Sequence, residues 1–146
     1  MDTQFLGIVI GGFVPAVLFA ASGIFNKLGA QSSIGLSAFI FFAGLGGVLS
    51  SLPFLFLQGG SVVSLKTSIF PLLMGVTWGL GIGCVTLGMQ RFHAPLSRLV
   101  PLYNMNTLLV VLVSLFFFAE WKDVQVLKLL IGAIFVVIGG TLVSIA

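Results

Sequence analysis

One feature constrains this chain more than any other. Five stretches, Phe5–Ile24, Gly35–Leu57, Thr67–Gln90, Leu96–Ala119 and Gln125–Ala146, are almost wholly apolar and each is long enough to cross a bilayer. A helix needs about 20 apolar residues to traverse the hydrocarbon core. Strands are a poor fit, because these runs lack the apolar–polar alternation of a membrane barrel. A helix also satisfies its own backbone hydrogen bonds, as an isolated span in lipid must. The reading is an all-α integral membrane protein, a bundle of five transmembrane helices. Composition agrees. Charged residues make up 6% of the chain, against about 25% in soluble domains, too few to clothe a water-facing surface.

The first stretch does not read as a signal peptide, which would carry a basic segment ahead of its apolar core. Asp2 is the only charged side chain before Lys27, so a retained helix is expected. The connections Asn26–Ile34, Gln58–Lys66, Arg91–Pro95 and Glu120–Val124 are too short to hold another domain. The expectation is a single domain over residues 1–146, with its termini on opposite sides of the membrane.

Lys and Arg near helix ends favour the cytoplasm. Lys66, Lys122 and Lys128 fall on the N-terminal side, and Lys27, Arg91 and Arg98 on the other, three against three. Either the topology is weakly specified, with insertion both ways round, or an unseen partner or a few ambiguous residues fix it.

Small residues let membrane helices approach closely. Gly75, Gly79 and Gly83 line one face of the third span, with Gly81 and Gly88 on a second stripe. Gly7 and Gly11, Ala43 and Gly47, and Gly132, Gly139 and Gly140 mark further close-packing positions. These faces either pack statically or slide in a conformational change. Proline inside a helix removes a hydrogen bond and crowds the preceding turn. Pro15 and Pro101 are expected to loosen their spans, and Pro53 and Pro71 to mark helix ends.

Catalytic chemistry needs several reactive groups converging. The acids, Asp2, Glu120 and Asp123, all lie at expected interfaces, and the one histidine, His93, sits in a turn. Cys84 is the only cysteine, so no intrachain disulfide forms, and it is expected to pack. No enzyme, metal site or cofactor is expected. Nor is there a carboxylate inside a span, where a proton relay needs one. That sets the chain apart from small multidrug resistance exporters, which carry a glutamate in their first helix.

Polar residues within the bilayer gather in the fourth span: Arg98, Tyr103, Asn104, Asn106 and Thr107. Tyr103 and Asn106 are three apart and share a face, as do Asn104 and Thr107. Amides in lipid are costly without partners, so these groups either join helices together or face a wet cavity. Arg98, one turn into its span, either snorkels to the interface or attracts an anionic or carboxyl-bearing solute. Lys27, beside Asn26, reads as an interfacial anchor. It falls on the same side as Arg98, so the two can share one vestibule. Trp78 is either core or the wall of a cavity.

From Trp78 to the C-terminus the chain resembles the second part of an EamA-like domain of the drug/metabolite transporter superfamily. The residues that carry the likeness are Leu87-Gly88, Ala94-Pro95-Leu96-Ser97-Arg98-Leu99-Val100-Pro101, the run Leu108–Phe118, Glu120, and Leu130-Ile131-Gly132 through Gly139-Gly140. Ser22-Gly23-Ile24-Phe25-Asn26-Lys27-Leu28-Gly29 is similar to the family's first helix. Ala119 stands where that family has glycine before its glutamate, and Tyr103-Asn104 replaces a more charged pair of some short members.

The resemblance implies a ten-helix transporter made of two inverted five-helix halves, of which this chain is one. Such carriers bind solute near the midplane and rock around it. It further implies a multi-pass protein of a bacterial inner membrane that moves a small organic solute, drug or metabolite, by alternating access. The implied partners are membrane lipid, the solute, and an antiparallel second copy or a paired half-transporter, with no nucleic acid. Trp78, Arg98, Tyr103, Asn104, Asn106, Thr107, Asn26 and Lys27 are the candidate solute-binding residues. Two rivals stay open: a non-transporting accessory or assembly subunit of a larger membrane complex, and a passive channel.

Overall fold

A computed structural model describes residues 3–58, 64–122 and 124–145. Asp2, Gly59, Gly60, Asp123 and Ala146 lie outside the described residues. The described residues form helices and turns with no strand. Five helical rods are long and apolar enough to cross a membrane: Phe5–Gln31, Leu36–Leu57, Leu65–Phe92, Leu96–Phe117 and Val126–Ile145. That is the pattern of a multi-pass membrane protein.

Three of the rods carry an irregularity beside a proline. The first comprises α1 (Thr3–Ile8), a π-helical segment Val9–Phe13, and α2 (Val14–Gln31). Pro15 has no N–H for the Gly11 carbonyl, and its ring crowds that turn. The ladder widens just upstream, where the Val14 N–H donates to the Val9 carbonyl, five residues back. This is the loosening expected at Pro15.

The first rod also runs past its expected end. Asn26–Ile34 is not a loop, since α2 continues to Gln31 and the connection is Ser32–Gly35. The hydropathy drop at Asn26-Lys27 mimics a helix end, but Asn26 finds a polar partner within the fold. Ser32 closes the helix, its hydroxyl donating to the Gly29 carbonyl at 2.6 Å.

The second rod breaks into α3 (Leu36–Leu49) and α4 (Leu52–Gln58). Ser50 and Ser51 hold the turn by donating their hydroxyls to the carbonyls of Gly47 and Val48, each at 2.7 Å. Pro53 falls in the first turn of α4, where its missing N–H costs nothing, so it does mark a helix start.

The third rod is one helix, α5 (Leu65–Phe92), opened by a reciprocal capping box between Ser64 and Thr67. Pro71 lies inside it. The expectation that Pro71 marks an end is corrected, because the box starts the helix two residues before Thr67. His93 ends α5 in the left-handed region, with φ 53°.

The fourth rod divides into α6 (Leu96–Tyr103) and α7 (Asn106–Phe117), and the fifth is α8 (Val126–Ile145), preceded by a 3-10 turn at Glu120–Lys122.

The chain forms two compact units, Met1–His93 and Ala94–Ala146. In the first, α5 packs against both α2 and α3. A Cβ on Gly83 would stand 2.9 Å from the Ile40 side chain, and one on Gly29 would collide with the Phe39 ring. Glycine at these positions is what lets the helices meet. Only the lower part of the expected stripe is used, since a Cβ on Gly75 would meet nothing within 4 Å.

In the second unit, α8 packs against α6 and α7. Leu115 and Ala133 are the buried apolar residues among those described. Large apolar side chains elsewhere are open, Phe56 at 90% exposure being an extreme. An apolar surface this extensive fits a lipid environment rather than water.

Candidate functional site

The expected site residues fall into two groups that the two units treat differently. In the first unit, Asn26 on α2 and Thr86 on α5 are both buried, Thr86 completely. The Thr86 hydroxyl donates to Asn26 Oδ1 at 2.9 Å and also lies 2.8 Å from the Ile82 carbonyl. A hydroxyl has one proton, so it serves one acceptor at a time. With the Asn26 amide turned over, its NH2 donates to Thr86 while Thr86 donates to Ile82, so the one hydroxyl proton serves one acceptor.

One turn on, Gln90 Nε2 donates to the Ile34 carbonyl at 3.3 Å. Gly83, Thr86 and Gln90 fall at helical spacing along α5 and form its contact face toward α2 and α3. Thr86 and Gln90 were absent from the expected site. The signal for them was the glycine stripe, since Gly79 and Gly83 mark the face of α5 on which a nearby polar side chain meets a neighbour.

Lys27 follows Asn26 but is exposed, as an interfacial anchor would be. Trp78 is 47% exposed, so it is not core. Cys84 was expected to pack, yet its thiol is exposed. It stands one residue beyond Gly83, about 100° around α5 from the packed face.

In the second unit the polar residues surround the break in the fourth rod. Pro101 has no N–H to give the Ser97 carbonyl. Hydrogen bonding then tightens to a three-residue step: Met105 N–H donates to Leu102 O at 3.1 Å, Thr107 N–H to Asn104 O at 3.0 Å, and Leu108 N–H to Met105 O at 3.1 Å. The Met105 N–H thus turns away from the Pro101 carbonyl, its partner in a regular helix. That carbonyl lies against α8, where a Cβ on Gly140 would sit 2.9 Å from it.

The loosening expected at Pro101 is present as this change of hydrogen-bond step. Asn104 and Met105 keep right-handed helical dihedrals, and in a three-residue step side chains at i and i+3 come into line, so Thr107, whose N–H donates to the Asn104 carbonyl, stands over Asn104. Tyr103, Asn104, Asn106 and Thr107 are exposed, as is Arg98 in the first turn of α6. The structure therefore gathers four neutral hydrogen-bonding side chains at one interruption of an apolar rod.

At the far end of α7, Ala119 holds φ 56°, a backbone state that favours glycine. Among the described residues, no three His, Cys, Asp or Glu side chains converge as metal ligands.

No protein-family model, curated protein or solved structure matches this chain.

Proposed function

We propose that the chain is a half-size transporter of the EamA-like kind, moving a small organic solute by alternating access. The observation that carries this reading is the break in the fourth rod at Asn104–Met105, with exposed Tyr103, Asn106 and Thr107 around it. Irregular backbone at membrane depth is tolerated where protein buries it or where it lines a water-filled cavity, and carriers place solute sites at such interruptions. Tyr103, Asn104, Asn106 and Thr107 offer donors and acceptors to a polar solute. Arg98 supplies the cation for a carboxylate or other anionic group. Asn26, tied to Thr86, holds helices together instead of meeting solute, and Lys27 anchors the rod end.

Five spans make half of an inverted-repeat carrier, so the working unit in this reading is an antiparallel homodimer or a paired half-transporter, in a bacterial inner membrane. The equal division of Lys and Arg supports two-way insertion, because orientation follows their difference across the bilayer. The left-handed backbone at Ala119 supports the resemblance, since it gives a physical reason for glycine at that place in the family.

A second reading, an accessory subunit docking on a larger membrane protein, is favoured by glycines that pack against no other described residue. A Cβ on Gly7, Gly11, Gly75 or Gly139 would meet no atom within 4 Å, and such surfaces suit close helix association. Liposomes containing only this protein, tested with labelled amino acids, nucleosides and organic cations, separate the readings. Saturable uptake supports the carrier, non-saturable flux indicates a pore, and absence of flux for the whole panel favours the accessory subunit. Cysteine labelling from each side of the membrane, in a variant lacking Cys84, tests the dimer. Labelling of every connection from both sides supports dual insertion, and labelling from one side only removes the antiparallel homodimer.

A further inference from the structure

The geometry points to a binding surface for the phosphate headgroups of anionic phospholipids at one end of the first unit. Two contacts define that end. Thr86 on α5 bonds Asn26 on α2, and four residues further along α5, Gln90 bonds Ile34 beyond the end of α2. The two helices therefore advance together, and their C-terminal ends lie at the same end of the unit. Lys27, one turn inside the end of α2, and Arg91, the penultimate residue of α5, are both exposed, and so is His93 just beyond.

No carboxylate occurs in these stretches of sequence. The chain's three acids are Asp2, Glu120 and Asp123. Asp2 precedes the first rod in sequence, and the others belong to the α7–α8 connection of the second unit. Among the described residues of the first unit there is no Asp or Glu, so this end is cationic without a neutralising carboxylate there.

The ends of membrane-spanning rods lie at headgroup depth, and Lys and Arg reach it by extending their side chains along apolar surface. The Arg91 guanidinium can take two phosphate oxygens at once, and the Lys27 ammonium adds a point charge. A soluble anion drawn inward is the poorer occupant, because the helices close directly beneath. Thr86 is fully buried, Gly83 meets Ile40 and Gly29 meets Phe39. The bland account is that cations at helix C-termini answer the helix dipole. That role needs no lipid and shows no preference among lipids.

The test uses the full chain in phosphatidylcholine bilayers at low salt, with spin-labelled phosphatidylglycerol or phosphatidylcholine as tracer. The readout is the ratio of their association constants at the protein surface. The expected ratio is roughly two- to fivefold in favour of phosphatidylglycerol, falling toward one at high salt as screening shortens the Debye length. The double variant Lys27→Gln/Arg91→Gln should remove the preference. Lys66→Gln/Lys128→Gln, with the same loss of charge elsewhere in the chain, should keep it. Circular dichroism of each variant shows that the helices persist, and the salt dependence of the unaltered protein tests the surface without any substitution.

Several outcomes overturn the proposal: no preference in the unaltered protein, a preference that survives loss of Lys27 and Arg91, or equal loss in both double variants. Abolition of the preference by millimolar inorganic phosphate at constant ionic strength assigns the surface to a soluble anion and overturns it as well. The transport reading is untouched by either result, since uptake is measured separately.

Discussion

In the first unit the Asn26 amide meets the Thr86 hydroxyl at 2.9 Å, and both residues are buried. In the second unit Asn104 and Asn106 stand exposed beside a helix break. The residue type is the same and the surroundings are equally apolar, yet one amide is used up in joining two helices and the others are left available. The difference comes from what each helix presents nearby. Gly79 and Gly83 thin the contact face of α5 until α2 and α3 approach, and Thr86 lies on that face to receive Asn26. Around Asn104 the backbone has departed from helical spacing under the influence of Pro101, so its side chains follow no packed stripe. A polar residue in a span is therefore glue where the helix is regular and faces small residues. It is a candidate contact for solute or partner where the helix is interrupted.

The second unit depends on one close backbone approach, and breaking it should have the largest effect. Gly140→Val places a Cβ 2.9 Å from the Pro101 carbonyl, which no rotamer change relieves. The expected loss is about 3 kcal/mol, at the upper end for overpacking, read from unfolding by denaturing detergent in mixed micelles. Gly139→Val is the paired control, because its Cβ meets nothing within 4 Å. Equal losses for the two would show that α6 and α8 do not meet at Pro101.

The first unit depends on its polar pair. Thr86→Val keeps the volume and removes the hydroxyl, leaving Asn26 buried without its partner. The expected cost is about 2 kcal/mol, and Thr86→Ser should restore most of it. Combining Thr86→Val with Asn26→Leu should cost less than the sum of the single changes, with a coupling of about 1 kcal/mol. Additivity would mean that the pair contributes nothing jointly.

These contrasts also mark what was legible in the sequence. The five spans were, because hydropathy over 20 residues reports directly on what lipid tolerates. The loosening at Pro15 and Pro101 was legible too, since a missing N–H acts locally. The first helix end was misplaced because Asn26 and Lys27 lower the hydropathy as a loop would, and what keeps them helical is a contact 60 residues away in the chain. For Thr86 the sequence held only the indirect signal of the glycine stripe, since its partner lies equally far away in the chain. The tight step at Asn104–Met105 was not legible, because facial arithmetic assumes 3.6 residues per turn and Pro101 disturbs that count within four residues of itself.

The two left-handed residues extend the comparison at smaller scale. His93 ends α5 with φ 53° and Ala119 follows α7 with φ 56°. A Cβ in that region costs about 1 kcal/mol, and glycine's greater freedom in the unfolded chain returns part of the difference. Ala119→Gly should therefore stabilise the protein by roughly 0.5 kcal/mol, and a clear destabilisation in the same detergent titration would show that the turn before Glu120 has another shape.

The smallest expected stability change belongs to Asn106, and that near-absence of effect is what sharpens the comparison most. Asn106→Cys, made with Cys84→Ala, removes an exposed amide at the start of α7, so stability should move by no more than about 0.5 kcal/mol. Asn26→Cys in the same background should destabilise by more, because Thr86 then loses its buried partner. Thiol accessibility supplies the second coordinate. A membrane-impermeant thiol reagent reaches only water-exposed cysteine, since the thiolate is the reactive form and ionises in water rather than in hydrocarbon. If the break lines a solute pathway, the cysteine at 106 is labelled and the one at 26 is not. If the break is covered by a second chain or by lipid, neither is labelled. Labelling at 106 without loss of stability is what a solute contact requires. No labelling together with a stability loss matching that at 26 would mean that Asn106 also serves as glue, and that the break has no claim to be a site.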